Sequence, residues 1–108
     1  TMAGESPLIE PDLSSHDEQL AAKVASLIQR DTGLQRSNHR YPGWLGVECP
    51  GIRAAVWMMR ALVASNVLSR REGTTLFVPI NAAIDPHGTI AARTVADVYR
   101  SASARCVL

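Results

Sequence analysis

Residues 51–79 constrain the fold more than any other stretch, because a helical period passes there without a gap into a strand, turn and strand. Ile52, Ala55, Val56, Met59, Leu62 and Val63 recur at three- and four-residue steps, which predicts a helix with one buried stripe. Arg53, Trp57 and Arg60 fall on its other side. Asn66 stands where such a helix would turn left-handed, a conformation asparagine tolerates better than most residues bearing a β-carbon. Val67 to Arg71 and Thr74 to Val78 then read as short strands around a Glu72-Gly73 connection. That register sets Leu68 opposite Phe77, closing over the helix stripe, with Arg70 across from Thr75 and Arg71 across from Thr74. Pro79 ends the second strand, having no N–H to give to a ladder.

The flanking segments are read by the same rules. Residues 1–13, with Pro7, Pro11 and several acids, read as a flexible or loosely docked acidic arm, and 14–108 as a single domain. Ser15-His16-Asp17-Glu18 fits a capping box, so a helix is expected from Ser15, with Leu20, Val24, Leu27 and Ile28 on one face and Gly33 as its left-handed stop. Residues 34–50 are left open by the sequence: a short helix or turn near 35–40 is compatible with it, Tyr41-Pro42-Gly43 and Pro50-Gly51 are breaks, and the Tyr41-Pro42 bond is trans by default. After the turn-like Asp85-Pro86-His87-Gly88, a last helix begins near Thr89, its plausible N-cap, with Ala91, Val95, Val98, Tyr99 and Ala102 on one face.

Composition limits the function classes. With 46% apolar and 19% charged residues, the 108-residue chain has enough apolar material for one packed core. The longest apolar run, Ala54 to Met59, is far shorter than the roughly 20 residues of a membrane span, so a soluble chain with no membrane partner is expected. An acidic N-terminus without a basic and apolar leader, together with two cysteines, Cys49 and Cys106, implies reduced thiols and a cytoplasmic location. Neither the cysteines nor His16, His39 and His87 have metal-like spacing, and no cofactor is implied. Cys49 near His39, and Asp85 near His87, lack a third orienting group, so no enzyme activity is expected.

Charge is unevenly spread. Residues 1–31 hold six acids against Lys23 and Arg30, a net of −4, whereas residues 32–71 hold six arginines against Glu48, a net of +5. The two parts are complementary, which suits docking of the arm or assembly with another copy.

Leu45-Gly46-Val47, Ile52-Arg53, Asn66, Val67-Leu68, Arg70-Arg71, Gly73 and the strand Thr75 to Val78 together resemble winged helix-turn-helix regulators of the GntR and MarR types. The resemblance spans residues 45–78. It implies a mostly helical α+β fold, winged-helix-like, with a two-stranded hairpin as the wing and an extra C-terminal helix. Two departures accompany it: the helix after Ile52 runs about a turn longer than that pattern, and Pro42-Gly43 interrupts the segment 35–45 where a preceding helix belongs.

On that resemblance the chain is a small DNA-binding regulator, dimeric through the helices at 16–31 and 89–104. Arg53, Trp57 and Arg60 then lie in the groove of double-stranded DNA and Arg70 and Arg71 on the adjacent backbone, while Arg36 and Arg40 grip phosphate beside Tyr41 and Trp44. The competing reading is a winged-helix module for protein–protein interaction or assembly. A tryptophan between two arginines is the composition of a protein hot spot, and equally of a helix packed under a C-terminal helix. For Arg36, Arg40, Tyr41 and Trp44 the favoured reading is a solvated loop anchored by the two aromatics, which plug the core.

Overall fold

Amphipathic helices packed on one antiparallel sheet make up the regular structure among the described residues. The computed structural model describes residues 7–14 and 16–108. Helix α1 (Glu18–Thr32) buries Leu20, Ala21, Val24 and Ile28, and ends at Gly33 in the left-handed conformation with φ 80°. Its N-cap is Asp17, whose carboxylate accepts from the Leu20 N–H at 3.0 Å. The capping-box role expected of Ser15 falls on a residue outside those described.

Where the sequence is compatible with a short helix or turn near 35–40, the chain instead makes a hairpin of β1 (Arg36–Tyr41) and β2 (Trp44–Glu48), turning at Pro42-Gly43 with Gly43 at φ 81°. The Tyr41-Pro42 bond is trans. The preceding helix that the winged-helix pattern places over 35–45, where Pro42-Gly43 interrupts it, is not formed. Next come α2 (Ile52–Ala64), β3 (Arg70–Glu72), β4 (Thr75–Pro79) and α3 (Thr89–Ala104). Among the described residues this gives an α+β fold of three helices and one four-stranded antiparallel sheet in the order β1-β2-β4-β3.

The helices lie on one face of that sheet. Leu45 and Val47 of β2 pair with Val78 and Leu76 of β4, and these four side chains join Val24, Met58, Leu62 and Val95 in the core. Their strand neighbours alternate to the other face. The expected α2 stripe is rotated: Ala54, Ala55, Met58 and Leu62 face inward, whereas Ile52 is 58% exposed and Val63 45%. Small Ala54 and Ala55 allow α2 to pack closely, and that decides which face turns in. Asn66 sits past the helix end at φ 66°. The β3–β4 turn is Gly73-Thr74 rather than Glu72-Gly73, with Gly73 at φ 60°, so Glu72 pairs with Thr75, Arg71 with Leu76 and Arg70 with Phe77. Arg70, not Leu68, is thus the partner of Phe77.

Helix α3 presents Ala91, Val95, Val98, Tyr99 and Ala102 inward or half-buried, as its spacing implies. Gly88 rather than Thr89 is its N-cap. The first turn is held by buried Asp85, which accepts from the Ile90 N–H at 3.1 Å and the Ala91 N–H at 3.0 Å. This places a carboxylate at the positive end of the helix dipole.

The N-terminal segment, expected as a flexible or loosely docked arm over 1–13, is docked where it is described. Ile9 is fully buried and bridges to Val67, its N–H donating to the Asn66 carbonyl at 2.8 Å and its carbonyl accepting from Leu68 at 3.0 Å. Asn81 donates to the Glu10 carbonyl at 3.1 Å, and Asp12 to the Ile80 carbonyl at 3.1 Å. Burial of an isoleucine contributes roughly 2 kcal/mol, enough to hold a strap across this end of the sheet. Among the described residues no helix is long and apolar enough to cross a membrane.

Candidate functional site

The sheet face away from the helices carries a concentration of large side chains. From β1 and β2 come Tyr41 and Trp44, which pair across the hairpin; from β4 comes Phe77, and from β3 Arg70 and Glu72. The strap delivers Leu13. With Pro42 these residues line a groove of about 370 Å³, near the lower end of the roughly 300–1,000 Å³ usual for ligand sites.

Phe77 is the floor of this groove, only 3% exposed, and Tyr41 stands over it at 42% exposure with ring centroids 5.3 Å apart and planes 62° from parallel. His39 meets the same ring edge-on at 6.5 Å. Gly46 makes this layer possible: a β-carbon there would lie 2.9 Å from Ser37 Cβ and 3.1 Å from Phe77 Cε1. Tyr41 and Trp44 therefore neither plug the core nor project from a solvated loop. They wall an open depression.

A polar cluster adjoins it. The Glu48 carboxylate accepts from Thr75 Oγ1 at 2.6 Å and from Thr74 Oγ1 at 3.3 Å. The bond from Thr75 above all, with help from Ser37, Thr74 and the nearby His39, holds the Glu48 carboxyl below its ordinary value of 4.5 against the opposing cost of burial. Buried Ser37 and Thr75 are thereby supplied with partners. Cys49, next in sequence, points its thiol into the core, where burial, reinforced by the Glu48 charge, pushes it up to about 11. A thiol so held is protonated and a poor nucleophile. Among the described residues no three His, Cys, Asp or Glu side chains stand together as a metal set.

The seven residues singled out from sequence are dispersed. Arg36 is committed to α1: its Nη1 and Nη2 donate to Glu18 Oε2 and Oε1 at 2.7 and 2.9 Å, a bidentate pair that lowers the Glu18 pKa. Arg40 donates to the Ser37 carbonyl. Trp57 is half-buried against the core, with the Arg105 guanidinium 5.9 Å from its ring centroid, so it belongs to the contact between α2 and the end of α3. Arg53 and Arg60 are exposed on α2, with no ion-pair partner among the described residues. Arg70 and Arg71 leave β3 toward opposite faces; Arg70 reaches the groove and Arg71 donates to the Gly73 carbonyl at 3.1 Å.

Leu13, Pro42, Glu72 and Phe77 had not been singled out. Only the spacing Tyr41-x-x-Trp44 around a Pro-Gly turn carried a signal for them, and it reads as a hairpin once Pro42-Gly43 is taken as the turn itself. Comparison with protein-family models, with curated proteins and with solved structures finds no match.

Proposed function

We propose that the chain is a recognition module that binds an extended, proline-rich segment of a partner protein in the groove on its open sheet face. The observation that carries this reading is the juxtaposition of Tyr41, Pro42, Trp44 and Phe77 as a walled apolar depression with Arg70 at its rim. A polyproline II strand has no internal hydrogen bonds. Its rings pack against flat aromatic side chains, and its outward carbonyls take donors such as the Arg70 guanidinium and the Trp44 indole N–H. Such a strand also arrives already extended, so little ordering cost opposes binding.

The alternative is a regulator of the winged-helix kind reading double-stranded DNA, and what favours it is the exposure of Arg53, Arg60, Arg70 and Arg71. It carries less here, because Arg36 is spent on Glu18 and Trp57 lies against Arg105.

Selection of phage-displayed random dodecapeptides on the wild-type chain, with Trp44→Ala as counter-target, tests the proposal. Enriched peptides should contain proline, bind with roughly micromolar affinity and weaken at least about tenfold on Trp44→Ala. Enrichment indifferent to both Trp44→Ala and Tyr41→Ala would overturn it. So would failure to enrich alongside saturable duplex binding that falls as salt rises and is lost on replacing Arg70 and Arg71 by alanine.

A further inference from the structure

Helix α2 carries a second apolar stripe that its own fold covers only in part, Met59 reaching the edge of the core while both ends stay open. Ile52, Val56, Met59 and Val63 follow one another at steps of four, three and four residues, the spacing of a helix-packing seam. Val56 and Met59 are half-buried, and Ile52 and Val63, at the two ends, are the exposed large apolar residues of this helix. Arg53 and Arg60, seven residues and hence about two turns apart, flank the stripe on one side. Helix α2 contains no acidic residue, and neither arginine has an ion-pair partner among the described residues.

From this arrangement we infer that α2 docks an amphipathic helix of a partner protein whose apolar stripe is flanked by carboxylates about two turns apart. Charge selects this occupant over the others. A second copy, related by a two-fold axis and antiparallel, would match Ile52 with Val63 and Val56 with Met59. That same axis keeps the arginine flank of both helices on one side of the seam, gathering four guanidinium groups with no acid on either helix. Duplex DNA would satisfy the arginines but leave Ile52 and Val63 facing phosphate, where apolar surface gains nothing. An acidic helix satisfies both at once: it covers the stripe and neutralises the flank, the helix-in-groove mode of recognition. This seam is independent of the groove on the open sheet face.

The probe is a fluorescein-labelled helical peptide of about 18 residues, with leucines at steps of three and four and glutamates along one flank, compared with its lysine-for-glutamate counterpart. In anisotropy titrations the acidic peptide should saturate the wild-type chain and the lysine peptide should bind at least about tenfold more weakly. The double variant R53E/R60E should reverse that preference, and Ile52→Ser should weaken both peptides. Circular dichroism checks that these surface changes leave the fold intact. Trp44→Ala should leave peptide binding unchanged, so failure of this seam and failure of the groove are told apart.

The inference is overturned by absence of saturation, or by a preference that R53E/R60E does not reverse. It is also overturned by concentration-dependent dimer in light scattering that Val63→Asp abolishes. Duplex binding that R53E/R60E removes and Ile52→Ser leaves alone would likewise sink it, in favour of nucleic acid.

Discussion

The hydroxyl of Tyr41, on one outer strand of the sheet, donates to Glu72 Oε1 on the other outer strand at 3.3 Å, so that the Tyr41 ring lies over Phe77 between them. The bond is long and exposed, and the ring contact outweighs it. Tyr41→Phe should therefore cost less than about 0.5 kcal/mol in urea unfolding, whereas Tyr41→Ala, which uncovers the floor of the groove, should cost about 1–2 kcal/mol. A Tyr41→Phe variant as unstable as Tyr41→Ala would show that the hydroxyl, not the ring, holds this layer.

Glu48 gives the fold an acid sensitivity of known sign. Its pKa is lowered in the folded chain, chiefly by the Thr75 hydroxyl, so its contribution is fully present above the ordinary value of 4.5 and fades as pH falls through the lower folded value. Glu48→Gln should destabilise by about 1 kcal/mol at pH 7, and the gap from wild type should close on acidification below 4.5. Urea midpoints measured as a function of pH give that gap directly; a constant gap would remove the charge from the account.

Gly46→Ala should destabilise by roughly 1–3 kcal/mol, because the new methyl meets Ser37 Cβ at 2.9 Å on one neighbouring strand, and Phe77 Cε1 at 3.1 Å and Thr75 Cγ2 at 3.2 Å on the other. Thermal unfolding measures the loss. An unchanged midpoint would mean that the open-face layer yields more readily than its packing implies.

The two thiols should separate by reactivity. Cys106 is exposed, while Cys49 is buried and raised to about 11, so one equivalent of a disulfide reagent should react promptly near pH 8 and the second only as the chain unfolds. Prompt reaction of both in the native state would place Cys49 at the surface.

The helices and their stops were legible in the sequence because they rest on local rules. The stripes of α1 and α3, left-handed Gly33 and left-handed Asn66 follow from spacing and from which residues tolerate positive φ. Strand β1 was hidden because four of its six residues are exposed, so no alternation marks it. Helix α2 misled for the opposite reason: it has apolar side chains around most of its circumference, and tertiary packing of Ala54 and Ala55 selects the inward face. The β3–β4 turn lay one residue further on than Glu72-Gly73 suggests, because glycine takes the first rather than the second loop position. Of the groove, the sequence marks only Arg70, Tyr41 and Trp44, since its walls come together from four separate segments, at Leu13, Tyr41 to Trp44, Arg70 to Glu72 and Phe77, that no local pattern connects.

The docked strap also bears on how the chain reaches its native state. Ile9 closes on Val67, Glu10 on Asn81 and Asp12 on Ile80, each joining residues far apart in sequence. Contacts of such separation form late and slow the overall folding rate, because the entropy of closing a long loop is spent before the contact returns anything. The helices and the two hairpins are free to assemble first. Leu13, one wall of the groove, comes into position only when that loop shuts, so binding in the groove should appear in refolding no earlier than docking of the strap.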